Sequence, residues 1–186
     1  MPPGRDLQAG HSVIFPNRDK AASGATKAIV VVLLLVSVAL MLIVTVGGWS
    51  KLQGQKPINF MWAIVYLLLA FYIGRWKRGL LPIAAALAIL LLIVAAIAGT
   101  GAAGTGWFDR NHAGFASAQA LFGGTGLDPD TLGLMTLLLA PVQALLIAFS
   151  MLGFSQGWNV ELELPPGEAK LEGRRLPRDP RQPAAA

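Results

Sequence analysis

Four runs of this chain contain no Asp, Glu, Lys, Arg or His: Ala28–Val46, Ile58–Gly74, Leu80–Ala98 and Leu132–Phe154. The third has no polar side chain at all. A bilayer's hydrocarbon core is about 30 Å thick, and a helix rising about 1.5 Å per residue crosses it in about 20 residues. Each run approaches or exceeds that length. In lipid every backbone N–H and C=O must find a partner within the protein, so only helices or closed barrels cross. Barrel strands are about 10 residues long and alternate in polarity. These runs are longer and unbroken, so they read as helices.

The expected fold is therefore an all-α integral membrane protein: a four-helix transmembrane bundle, with a short interfacial helix in the outer loop between spans three and four. The spans are 28–46, 58–74, 80–98 and 132–154, within a membrane domain of 28–154. A mostly flexible tail, 1–27, precedes it. A second tail, 155–186, follows and is rich in Pro, Glu, Arg and Ala, as disordered segments are, from about 165. The first run is longer than the apolar core of a secretory signal and is followed by Val46-Gly47-Gly48-Trp49 rather than a small-residue cleavage site, so it reads as a retained span.

Composition narrows the class. Hydrophobic residues make up 54% and charged residues 13%. Soluble domains carry about 25% charge, so an ordinary globular domain is excluded, as is a disordered chain. The absence of cysteine excludes a disulfide scaffold, a thiol redox enzyme and Cys-ligated metal sites. Two histidines leave no His-rich centre. The Ala, Gly, Pro and Arg content points to a bacterial source.

Lys and Arg distribution sets the expected orientation. Arg5, Arg18, Lys20 and Lys27 precede span one. Arg75, Lys77 and Arg78 lie between spans two and three. Lys170, Arg174, Arg175, Arg178 and Arg181 follow span four. Twelve cations thus fall on one side, against Lys51, Lys56 and Arg110 on the other. Both termini are expected in the cytoplasm of a cell with the protein in its plasma membrane. No basic stripe is interleaved with stacking aromatics, so nucleic acid is not an expected partner.

Trp49, Trp62, Trp76 and Trp158 fall near span ends, where amphipathic rings prefer the headgroup level, and read as interface anchors. Arg75, Lys77 and Arg78 are expected to contact lipid headgroups. Their link is so short that spans two and three should be neighbours in an antiparallel hairpin. In the long outer loop, Phe108, Phe115 and Phe122 recur every seven residues, as on one stripe of an interfacial helix ended by Gly123-Gly124. Asp128-Pro129 reads as an N-cap and first helical residue opening span four. In the tails, Ser12-Val13-Ile14-Phe15 is an apolar island and Val160–Leu164 alternates with period two. They could pair as a ribbon, although an isolated pair is marginal in water and an extended, unpaired segment is the simpler expectation.

Ionisable groups buried in the membrane mark transporters and proton relays. None lies in these spans. The polar side chains that remain are few and fall at matching depths: Ser37, Tyr66 and Gln143 each sit near the middle of a span. Thr136, Gln143 and Ser150 recur every seven residues on one face, and Ala140, Ala144 and Ala148 form a small-residue series beside them. Pro141 should kink span four and free the Leu137 carbonyl. The plainest role for Ser37, Tyr66 and Gln143 is helix packing. A functional role would be a polar cavity for a lipid headgroup, quinone or small apolar ligand.

Asp109, His112, Asp128 and Asp130 are too scattered for zinc, which needs three or four placed ligands. There is no G-x-S-x-G nucleophile elbow and no Gly-Lys-Ser/Thr phosphate loop. No catalytic residue, metal or cofactor is implied. The leading expectation is a non-catalytic accessory or scaffold subunit of a membrane assembly, with a membrane-protein partner or homo-oligomer alongside the bilayer. The alternative is a small oligomeric carrier or binding protein for a lipid or uncharged apolar solute. An enzyme using His112 as base comes third.

Overall fold

The computed structural model describes residues 12–52, 54–100 and 118–164. Four of its helices are long and apolar enough to cross a membrane: α1 (Ala21–Gly47), α2 (Lys56–Gly74), α3 (Leu81–Thr100) and α4 (Pro129–Ser155). Single 3₁₀ turns lie at Trp49–Lys51 and Arg78–Leu80. Two short strands, β1 (Ser12–Ile14) and β2 (Leu162–Leu164), pair antiparallel.

The helix ends follow from local chemistry. α4 starts as Asp128-Pro129 predicts: the Asp128 carboxylate accepts from Thr131 N at 2.8 Å and from Thr131 Oγ1 at 2.7 Å, and Pro129 opens the first turn. α4 then runs through Pro141 without a break. Pro141 lies on the exposed side, away from the bundle core. α1 begins at Ala21 rather than Ala28: Ser23 and Thr26 in its first turns are buried, and Thr26 Oγ1 accepts from Gln156 Nε2 beyond α4. Part of the expected flexible tail is thus helix.

α1 packs on α2 and α4, and α4 packs on α3. α2 and α3 scarcely touch beyond their connecting turn, which corrects the expectation of a packed hairpin. The reason lies in side-chain size. The buried stripe of α3 is Leu81, Ala84, Ala88, Leu91, Ala95 and Gly99. Small residues let backbones approach closely in lipid. Gly99 sits so tightly on α4 that a Cβ there would lie 3.0 Å from Leu137 Cβ and 3.1 Å from its Cα. α3 therefore follows α4. The short link fixes where α2 and α3 begin to diverge, not that they pack.

Both ends of the described chain meet at one end of the bundle, the tail end. Ser12 pairs with Leu164 and Ile14 with Leu162. The ribbon is held down by side chains: Asn17 Nδ2 donates to the Gly157 carbonyl and Arg18 Nε to the Trp158 carbonyl, both at 3.0 Å. Those bonds supply what an isolated pair lacks. At the opposite, loop end, residues 118–127 fold over the end of α1. Leu127 N donates to Gly47 O at 2.9 Å, and Gly126 lies so close to the Gly47 and Ala118 carbonyls that no Cβ would fit. Most of the predicted interfacial helix lies outside the described residues. Its last ring, Phe122, is 91% exposed, and Gly123 adopts φ +83° in a turn closed by its N–H to Ala120 O.

Candidate functional site

Ser37, Tyr66 and Gln143 come together in the middle of the bundle, each fully buried. Tyr66 Oη donates to Gln143 Oε1 at 2.8 Å. Gln143 Nε2 donates to Ser37 Oγ at 2.7 Å, and Ser37 Oγ donates to the Leu33 carbonyl at 2.7 Å. The chain of donors thus runs from α2 through α4 to α1 and ends on backbone. It is uncharged, and each side chain has a partner within the protein. Chemically it can hold three helices in register. It offers no charged or nucleophilic group to a substrate.

Around it, the small-residue series beside Gln143 faces outward. Ala144 and Ala148 are exposed, and Ala140 partly so. The buried face of α4 runs instead through Leu132, Thr136, Leu139, Gln143, Leu146 and Ser150. The heptad of Thr136, Gln143 and Ser150 thus marks the inward side. Thr136 and Ser37 return their hydroxyls to the carbonyl four residues back, while Ser150 Oγ is enclosed without a hydrogen-bond partner.

The open space lies elsewhere. Between α2 and α3, in the half of the bundle nearer the loop end, is a cleft of about 280 Å³. Met41 of α1 and Leu139 of α4 form its floor, with Trp62 on one wall and Leu91 and Ala98 on the other. Ile58 and Val94 stand at its mouth, 52% and 54% exposed, so it opens sideways between the helices. Polar groups are confined mostly to its loop-end rim, at Gln55 and Asn59. Asn59 Nδ2 donates to Thr45 Oγ1 at 3.0 Å, which fixes the amide beside the opening. Thr136 also lines the cleft, but its hydroxyl bonds its own helix at Leu132 O. Sequence reading missed this cleft. The available signal was the contrast between an aromatic-rich second span and a third span whose polar content is nil and whose stripe is small.

The chain matches no family model, no curated protein and no solved structure.

The tryptophans divide. Trp49 is half-buried against Phe60, centroids 6.3 Å apart, with Lys56 Nζ 4.3 Å from its ring. Trp62 is half-buried in the cleft wall, its ring 6.4 Å from that of Tyr66. Trp158 is fully buried, which corrects its reading as an anchor at the headgroup level. It packs edge-on against Trp76 at 5.2 Å and donates from Nε1 to Gln156 Oε1 at 3.0 Å. Gln156 Nε2 in turn donates to Thr26 Oγ1 at 2.9 Å. The chain after α4 folds back under the bundle, so a ring expected at its edge becomes a plug beneath it.

The basic link is ordered by a helix-end motif. Lys77 N bonds Tyr72 O and Trp76 N bonds Ile73 O, the paired bonds of a Schellman cap. The residue at its left-handed position is ordinarily Gly; here it is Trp76 at φ 65°. Burying the ring against Trp158 holds a backbone conformation that costs a bulky residue about 1–3 kcal/mol. Lys27 Nζ sits 3.9 Å over the same ring. Of the three expected headgroup contacts, Arg75 lies over Phe71 at 4.2 Å, and Arg78 donates from Nε to the Phe154 carbonyl at 2.7 Å. Lys77 is exposed.

Proposed function

We propose that this chain is a non-catalytic multi-pass protein of a bacterial cell membrane that binds the chain of a lipid or an uncharged apolar solute in the cleft between α2 and α3. The single observation carrying this reading is the cleft's form: apolar walls, a sideways mouth and a polar rim at one end. A dry apolar cavity of roughly 150 Å³ takes up a benzene-sized molecule; this one is larger and would face acyl chains directly. The tail end, with its excess of Lys and Arg, is assigned to the cytoplasm, which places the cleft in the outer half of the bilayer.

A second reading, an accessory or scaffold subunit with a membrane-protein partner or in a homo-oligomer, draws support from the closed Ser37–Gln143–Tyr66 chain and the stapled tail end. Both make a rigid body suited to holding a partner. The cleft ranks the binding reading first, because it is a concave feature that a pure scaffold does not require.

The test uses the cysteine-free wild-type chain in bilayers containing a phospholipid with a photoreactive group along its acyl chain. Labelling should concentrate on Ile58, Leu91, Val94 and Ala98, over lipid-facing Leu35 and Leu145. Ala98→Trp, which fills the cleft, should abolish that concentration while overall labelling persists. Even labelling of all exposed apolar faces would overturn the binding reading.

A further inference from the structure

A second concave feature lies at the tail end, the end of the bundle away from the cleft. A shallow recess of about 450 Å³ is lined by Tyr72, Lys77, Arg78, Gly79, Leu80 and Asn159. It is built from three pieces of chain: the last turn of α2, the link into α3, and the segment after α4. We infer that this recess binds the phosphate of an anionic phospholipid from the tail-side leaflet.

Arg78 is held in place, and Lys77 is fixed at its backbone while its side chain is exposed. The Schellman bonds at Tyr72 and Ile73 fix the backbone up to Lys77. Arg78 is clamped from one side: Nε donates to the Phe154 carbonyl at 2.7 Å, and the guanidinium lies 4.3 Å over the Phe154 ring. Its planar fork presents further N–H donors beyond Nε, suited to the spread acceptors of a phosphate. Among the described residues no carboxylate forms an ion pair with Lys77 or Arg78. Asn159, exposed on the opposite lip, adds an amide donor. Tyr72, 43% exposed at the end of α2, and Leu80 continue the recess onto the apolar helix surface. The recess surface is mostly apolar, with Lys77, Arg78 and Asn159 among the residues that line it, so a ligand seated there meets hydrocarbon with positive charge beside it. That is the pattern of a lipid with an anionic head, not of a soluble anion. Arg75, adjacent in sequence, is outside the recess and lies on Phe71. Local charge and local geometry can therefore be separated. The inference needs only that the tail end meet a headgroup layer, and it does not depend on the cleft holding a ligand.

The experiment is native mass spectrometry of the full chain, released from micelles containing equal phosphatidylglycerol and phosphatidylcholine. Wild type should retain phosphatidylglycerol over phosphatidylcholine by about fivefold or more for each recess cation engaged. Lys77→Gln, at an exposed position, should reduce that preference several-fold and Lys77→Arg should keep it, while Asn159→Leu should weaken retention of both lipids and leave their ratio unchanged. Arg75→Gln should leave it unchanged. Arg78 stays intact because it also binds the end of α4. Equal retention of the two lipids overturns the inference. A loss in Arg75→Gln equal to that in Lys77→Gln overturns it as well, since the effect is then general charge. Displacement of phosphatidylglycerol by millimolar inorganic phosphate does the same, assigning the recess to a free anion.

Discussion

Gln143 is the residue whose replacement discriminates best between packing and loose association in the bundle. Gln143→Leu nearly preserves volume, so the cavity contribution is small. It removes two interhelical hydrogen bonds, at 2.8 and 2.7 Å. Such bonds average about 0.6 kcal/mol in membranes, so the pair contributes about 1.2 kcal/mol. The Tyr66 hydroxyl is then left buried with no acceptor, at a further cost of about 1 kcal/mol or more. Ser37 loses a donor but keeps its own bond to Leu33 O, and adds little. The expected loss is about 2 kcal/mol. Tyr66→Phe removes the donor and leaves Gln143 Oε1 unpaired, at about 1 kcal/mol.

The double variant carries the argument further, because it removes both ends of one bond and leaves neither orphan. Its loss should fall short of the sum of the singles by about 0.6–1.7 kcal/mol. The assay is reversible unfolding in mixed micelles by added SDS, followed by helical circular dichroism. Additivity within about 0.5 kcal/mol, or an unperturbed Gln143→Leu, would refute a coupled chain. Normal stability with loss of a bound ligand would move these residues from packing to binding.

Two further outcomes follow from the helix contacts. Gly99→Ala should destabilise by about 1–3 kcal/mol in the same titration, because its methyl would press on α4 backbone at Leu137 that cannot yield; wild-type stability would mean that α3 and α4 are not in contact there. The bonds from Thr131 Oγ1 and N hold the Asp128 carboxyl below the ordinary carboxylate range. A lowered folded value means the cap's contribution is present above the ordinary range and is lost as pH falls through the folded value. The protection of the Thr131 amide, relative to its intrinsic exchange rate at each pH, should therefore fall in acid for wild type and stay level in Asp128→Asn, whose side-chain oxygen still accepts; an identical acid dependence of protection in both would remove Asp128 as the cause.

The spans were legible because charge is excluded from lipid at an energy no local preference overrides, and the runs between charges are all that long. The polar chain was legible for a related reason. With only a handful of polar groups in the spans, Ser37, Tyr66 and Gln143 had few partners other than each other, and residue counting placed them level. Sidedness was legible only where polar residues recur, as at Thr136, Gln143 and Ser150. In a water-soluble helix the apolar stripe reveals the buried face, whereas elsewhere in these helices every face is apolar. That is why Ala144 and Ala148, small and well spaced, still ended outside, and why a short link failed to pair α2 with α3. Trp158 was misplaced for another reason. Its burial depends on the chain after α4 turning back, a turn secured by Asn17 and Arg18 from the far end of the sequence.

The same asymmetry accounts for the cleft. Three helices share the hydrogen-bonded chain: α1 through Ser37, α2 through Tyr66 and α4 through Gln143. The fourth has no polar side chain within its predicted span and packs on α4 through its alanines, Gly99, Leu81 and Leu91. Interhelical hydrogen bonds are weak in lipid but specific in direction, and small-residue contacts are short in range. α2 is thereby committed to α1, and α3 to α4, with neither force acting across the seam between α2 and α3. That seam closes at the tail end, where the Trp76 cap and Trp158 bring the link under the bundle, and it opens into the cleft toward the loop end, where among the described residues no hydrogen bond joins the two helices. An apolar gap flanked by exposed Ile58 and Val94 is left between them. The cleft is thus a consequence of where this sequence put its few polar residues.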